Sequence, residues 1–184
     1  VGVEAKQVKL LLIGPDCSGK STLAKKLAEH FRLPLFSNRR APDELAALQR
    51  VVDFAIDWFS DYDAGFILDQ WQFPVDIVYN RVLRDQGSIF EGIAPYLKQD
   101  MDRYKVLIIH LTASDEVLTE RFNKRGDELW NIGQILKVAN AYKPILQELN
   151  LTHTTIDTSP LTPEEVFSWT VARITSFYGG EENV

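Results

Sequence analysis

Two rhythms of apolar and polar positions alternate along the chain. Val8 to Ile13 is a short leucine-rich and β-branched run closed by Gly14, which predicts a buried strand. Lys20 to His30 then brings Leu23, Ala24, Leu27, Ala28 and Phe31 to the spacing of a helix with one buried face. Leu33 to Phe36 predicts a second short strand. Asp43 to Phe59 returns to helical spacing through Leu45, Leu48, Val52, Ala55, Ile56 and Phe59, with Asp43 and Glu44 after Pro42 suiting its positive end. Gly65 to Asp69 is an apolar strand that ends in a carboxylate. Residues 74–85 and 93–103 predict helices broken by Gly87 and Gly92, and Lys105 to Leu111 reads as a central strand. A helix follows from Ser114, with Asp115 and Glu116 in its first turn. Another spans Asn131 to Leu149, where Pro144 predicts a kink or a second helix start. His153 to Asp157 is the last strand. Thr162, Pro163 and Glu165 open the final helix as cap, first helical residue and third-position glutamate.

Five strands alternating with helices imply an α/β domain in three layers: a central, mostly parallel sheet covered on both faces. No repeat, linker or low-complexity segment interrupts the pattern, so residues 1–184 are expected to form a single domain. The bulk numbers narrow the function. A formal charge of -6, from 20 basic and 26 acidic residues, argues against wrapping long nucleic acid while allowing a local basic cleft. One cysteine, Cys17, excludes an internal disulfide framework and fits a reducing, cytoplasmic setting. No apolar run approaches a membrane span, and the first residues lack the plan of a signal peptide.

The candidate chemistry begins at Gly14-Pro-Asp-Cys-Ser-Gly-Lys-Ser21, which matches G-x-x-x-x-G-K-S between an expected strand and an expected helix. Glycines let such a loop curl until backbone N–H groups converge on a phosphate, backed by the helix N-terminus. Gly14, Asp16, Cys17, Ser18, Gly19, Lys20, Ser21 and Thr22 are therefore the expected phosphate-donor contacts, with Lys20 reaching the β- and γ-phosphates and Ser21 reaching Mg2+. A P-loop nucleotide-hydrolase type of fold follows, with ATP and Mg2+ as the expected cofactors.

Asp69 closes its strand at the rim where parallel sheets bind ligands, so it can hold Mg2+ through water, orient an acceptor, or merely cap the next helix. Asp16 repels phosphate unless it points away, and a substrate hydroxyl is its natural partner. Arg121 and Arg125 share a helix face; with Lys124 and Gly126 they predict a basic lid near residues 121–130 that supplies positive charge in the transition state, unless Glu120 or Glu128 neutralises them. Arg39 and Arg40 are candidates for an acceptor phosphate, and Arg81 or Arg84 for the cleft. Trp71, Phe73 and Tyr79 are candidates for base contact, although aromatic residues beside helices often serve the core. His30, His110 and His153 lack metal-ligand spacing.

The chain resembles the thymidylate kinase and deoxynucleoside kinase group. The loop GPDCSGKST resembles that of thymidylate kinases, which also carry an aspartate at the place of Asp16. The strand end Phe66 to Trp71 (FILDQW) resembles the group's aspartate–arginine–aromatic element, Val78-Tyr79 its pair near the acceptor base, and Arg121 to Glu128 (RFNKRGDE) its lid. Gln70 departs from the arginine and Pro74 from the serine usual there, and the chain is short, most like small phage or bacterial homologues. The resemblance implies a kinase that phosphorylates a deoxynucleoside monophosphate, thymidylate-like or base-modified, with a homodimer as a possible assembly. A free nucleoside, another small molecule or a polynucleotide end are the alternative acceptors. Gln70 keeps open a nucleotide-binding protein without transfer.

Overall fold

The computed structural model describes residues 4–37, 44–55, 57, 64–125 and 130–179. Five strands form one sheet: β1 (Lys9–Ile13), β2 (Leu35–Ser37), β3 (Phe66–Asp69), β4 (Leu107–Thr112) and β5 (Thr154–Asp157). Their order is β2-β3-β1-β4-β5 and every pairing is parallel. The helices are α1 (Lys20–Phe31), α2 (Glu44–Phe54), α3 (Gln72–Tyr79), α4 (Ala94–Arg103), α5 (Asp115–Arg125), α6 (Ile132–Glu148) and α7 (Pro163–Tyr178). The three-layer α/β expectation holds, and each expected strand forms within two residues of its expected bounds.

The period-two geometry of strands explains how one apolar run serves two cores. In β1, Leu11 and Ile13 join Phe66, Leu68 and Ile108 in a cluster reaching Val51 of α2, Ile77 of α3 and Tyr142 of α6. Leu10 and Leu12 point the other way, with Ile67 and Ile109, onto Leu23 and Leu27 of α1 and Val166 and Ile174 of α7. A central strand buried on both faces must be apolar throughout, which is why β1 shows no alternation.

Local exceptions have identifiable causes. Phe73 is extended (ψ 129) at the start of α3, as the residue before a proline tends to be, so regular helix begins at Pro74 and widens into a π turn over Asn80–Arg84. α6 runs through Pro144 as one helix rather than breaking there. Thr162 caps α7: its hydroxyl accepts from the Glu165 N–H at 3.3 Å, while the Glu165 carboxylate accepts from the Thr162 N–H at 2.7 Å. Pro42, Asp43, Trp58 and Phe59 lie outside the described residues.

Sheet topology places the site. β2 and β3 lie on one side of β1, and β4 and β5 on the other, so strand order reverses at β1. The crevice at the carboxyl ends of strands is widest at such a switch point. The loop Gly14–Gly19 leaves β1 at that point.

Candidate active site

Gly14 leaves β1 with φ +142, and a Cβ there would lie 2.1 Å from the Leu111 carbonyl oxygen of β4. Only glycine permits that approach. Gly19 has φ +97 and forms the N-cap of α1, so the loop curls around the helix N-terminus. Cys17 adopts φ +66, an uncommon conformation for a residue with a side chain. From Asp16 through Thr22, every loop residue lines a cleft of about 650 Å³. Gly14 lies beneath it and serves the turn.

Lys20 is the buried cation of the site, 5% exposed. Its Nζ donates to the Pro15 carbonyl at 2.5 Å and to Ser18 Oγ at 3.3 Å, so the loop's own oxygens hold it in place. Burial draws its pKa below the ordinary lysine value; the charges of Asp16 and Asp69 oppose that shift. Asp69 ends β3, in register with Leu12 of β1 and Ser37 of β2, and its buried Oδ1 has no hydrogen-bond partner. A buried carboxylate oxygen left unpaired is costly, and the charge of this one acts on Lys20 of the loop.

The loop is fastened from several elements. Tyr79 Oη donates to Asp16 Oδ2 at 3.0 Å, and its ring lies 5.8 Å from that of Trp130. Gln70 Nε2 donates to the Gly14 carbonyl at 3.3 Å. Arg121, on α5, donates from Nη1 to Thr158 Oγ1 at 2.9 Å and to the Cys17 carbonyl at 3.4 Å, and from Nη2 to the Thr158 carbonyl at 3.0 Å. The Thr158 hydroxyl, just after β5, has the Thr112 carbonyl at 3.0 Å and the Ser18 carbonyl at 3.3 Å as acceptors. Beneath the loop, Tyr142 Oη is buried near Gly14 and Asp16; burial, then the Asp16 charge, pushes its phenol pKa well up, against the pull of the Gly14 backbone. His110 stacks on Tyr142 at 5.2 Å, and burial, then the charges of His153 and Lys20, lower its pKa to about 4.

A second cavity, about 450 Å³, adjoins the first and is lined by Leu35, Phe36, Ser37, Arg50, Phe54, Leu68, Gln70, Trp71 and Gln72. Leu35, Ser37 and Gln70 line both.

The sequence candidates divide accordingly. Ser21, Asp69, Arg121 and Arg125 all line the first cleft with the loop, and Trp71 lines the second. Two expectations are corrected. Phe73 is fully buried in the core against Trp71, with ring centroids 6.3 Å apart, and has no face for a base. Arg81 is held by Glu91 at 2.8 Å and Glu148 at 2.7 Å, hydrogen bonds that raise its pKa, and it lines neither cavity. Arg84 hydrogen-bonds Asn80 and lies near Asp76. Of the ions weighed against the lid arginines, Glu120 pairs with Lys124. Arg39, Arg40 and the lid residues 126–129 lie outside the described residues. His110 and His153, distant in sequence, sit 6.2 Å apart in the fold. Sequence reasoning missed Thr158 and Ser37, although both stand at strand ends by the rim rule that found Asp69.

A G-x-x-x-x-G-K-S loop between a parallel strand and a helix, with a carboxylate at the neighbouring strand end, defines a P-loop fold of the type that kinases share. The chain belongs to the AAA domain family, matched over residues 10–135. It is 23% identical over 157 residues to the SPbeta prophage-derived uncharacterized protein YorR of Bacillus subtilis (strain 168), spanning 85% of this chain and 93% of that one. The crystal structure of YorR in complex with phosphorylated GDP superposes with a TM-score of 0.76 at 20% identity, covering 96% of this chain and 100% of the other. Deoxyadenosine kinase from M. mycoides, with products dCMP and a flexible dCDP bound, gives 0.63 at 12% identity, covering 92% and 100%. A gluconokinase from Sinorhizobium meliloti 1021 gives 0.63 at 13%, covering 95% of each chain. A nucleoside kinase and a sugar kinase share this fold, so the fold alone does not single out the thymidylate kinase group. Among the described residues no helix is long and apolar enough to cross a membrane.

Proposed function

We propose that this protein transfers the γ-phosphoryl group of ATP to a nucleoside or nucleotide acceptor. The observation that carries this reading is the junction of two cavities at the loop: Lys20 and the unpaired Asp69 oxygen stand beside one, and the other opens through Ser37 and Gln70. A pure hydrolase needs only the first. The loop N–H groups and Lys20 would hold the donor phosphates, with Leu161, Pro163 and Val166 as an apolar wall farther along the cleft. Trp71, Phe54 and Phe36 offer the second cavity aromatic surface for a base, while Gln72 and Arg50 offer polar groups. Asp16 and Tyr79 form a hydrogen-bonded pair suited to an acceptor sugar.

The residues fit Mg2+. Ser21 lines the cleft with a hydroxyl to offer, and Asp69 supplies a carboxylate oxygen with no protein partner, an all-oxygen set suited to a hard cation that keeps most of its waters. When bound, the ion would offset charge on the β- and γ-phosphates. The test is incubation with ATP, Mg2+ and a panel of nucleosides, nucleoside monophosphates and sugars, with product masses read directly. One acceptor gaining a phosphoryl group supports the reading. ATP binding with slow hydrolysis that no acceptor alters would replace it with a nucleotide-binding role lacking transfer.

A further inference from the structure

Gln70 stands where the two cavities meet. Its backbone adopts φ +58, and its N–H donates to the Leu12 carbonyl at 3.1 Å, so the chain turns sharply at the end of β3. That turn returns the side chain to the loop, where Nε2 donates to the Gly14 carbonyl at 3.3 Å. A carbonyl only accepts, so this contact fixes the amide: its NH2 end is committed to the loop, and Oε1 remains without a partner among the described residues.

The surroundings of that oxygen restrict what can sit beside it. Among the described residues, those shared by both cavities are Leu35, Ser37 and Gln70, none of them cationic, while Lys25, Arg121, Lys124 and Arg125 line the first cleft alone. Asp69, the preceding residue, adds a carboxylate with an unpaired oxygen on the donor side. Lys20 is engaged by Pro15 and Ser18 within the loop, and Arg50 lines only the second cavity. Among the described residues the throat therefore holds no cation and presents Gln70 Oε1 as an acceptor beside the Ser37 hydroxyl. A hydroxyl, which can donate, satisfies that acceptor, whereas a phosphomonoester dianion brings only further acceptors and negative charge.

We propose that Gln70 is a specificity-determining residue that selects an uncharged alcohol, a deoxynucleoside sugar hydroxyl, over the corresponding monophosphate. This rests on the phosphotransferase reading above and narrows it. The acceptor hydroxyl first donates to Gln70 Oε1. As its oxygen forms the new bond to the γ-phosphorus, the bond from that phosphorus to the bridging oxygen breaks and its electrons leave with ADP. The hydroxyl proton passes to an oxygen of the transferred phosphoryl group, so Asp69 keeps the Mg2+ role given above.

The experiment compares kcat/KM for matched deoxynucleosides and their 5′-monophosphates, with ATP and Mg2+, for the full chain and for Gln70→Arg and Gln70→Asn. The unaltered chain is expected to favour the nucleoside by at least about tenfold, the size of one unsatisfied polar contact. Arginine, unbranched at Cβ like glutamine, brings no new backbone clash at this φ; it is expected to lower nucleoside efficiency about tenfold and raise monophosphate efficiency, narrowing or inverting the ratio. Asparagine, tolerant of this backbone, is expected to lose nucleoside efficiency without gaining monophosphate efficiency. Should neither variant fold, the preference of the unaltered chain decides. Better phosphorylation of monophosphates, or equal loss on both acceptors in Gln70→Arg, overturns this inference and leaves the phosphotransferase standing. No transfer to either member of any pair overturns both.

Discussion

The Thr158 hydroxyl joins the end of β5, the phosphate loop and α5 at one atom, and Thr158→Val removes it while keeping a branched side chain in place. In the structure it accepts from the Arg121 guanidinium at 2.9 Å and donates to a carbonyl, Thr112 at 3.0 Å or Ser18 at 3.3 Å. The neutral bond is worth about 1 kcal/mol and the charged one about 1.5–3 kcal/mol. Arg121 is only half-buried and keeps the Thr158 carbonyl through Nη2, so water recovers part of the second term. The net loss is expected near 2 kcal/mol, a large share of a typical stability of about 5–15 kcal/mol. Urea unfolding followed by tryptophan fluorescence should show a lower midpoint with an unchanged slope. A cycle with Arg121→Ala should give a coupling of about 1 kcal/mol or more. Losses that add within about 0.5 kcal/mol, or a Thr158→Val protein that matches the unaltered chain, would refute the clamp.

Three further perturbations test the site. Lys20→Met is expected to abolish transfer without loss of fold stability; because burial lowers the folded pKa, the unfolded chain binds more protons below 10.5, so stability should rise as pH climbs toward that value, and the variant should lose this slope in an alkaline titration of unfolding. His110, with a folded pKa of about 4 against 6.5, should make the protein lose stability as pH falls from 6.5 to 4, by on the order of 3 kcal/mol at the lower end, and His110→Phe should flatten that window in pH-dependent denaturation. Arg125→Ala should lower kcat about a hundredfold with little change in ATP affinity, whereas Arg121→Ala should chiefly weaken nucleotide binding; single-turnover kinetics and calorimetric titration separate the two outcomes.

The parts of this molecule legible in its sequence are those where one physical requirement dominates. Val8 to Ile13 had to be a doubly buried strand because it is apolar at every position from Leu10 onward, and Gly14 had to follow because the loop passes within contact of Leu111. The position of Asp69 at the cleft was legible because a residue that closes a strand of a parallel sheet stands at the rim. Phe73 and Arg81 were misplaced for the opposite reason: each has two adequate partners, and tertiary packing decides. Phe73 precedes a proline that holds it extended, which delivers its ring to the core. Arg81 meets Glu91 only ten residues on, but Glu148 arrives from α6, and no local pattern announces that meeting. Thr158 was invisible because its value lies in connecting four segments distant in sequence.

That distribution of contacts also explains how the site divides its labour. Gly14, Asp16, Cys17 and Ser18 are each held by a side chain from elsewhere: Gln70, Tyr79, Arg121 and Thr158 respectively. A loop fixed in this way needs little reorganisation when phosphate arrives, which is what electrostatic preorganisation requires. Arg121 spends its guanidinium on that fastening. Arg125, one turn later on the same helix, lines the cleft, and its charge reaches Lys20. The two arginines that share a helix face therefore need not share a role, because one has its donors committed to Thr158 and Cys17 and the other faces the space the phosphates would enter.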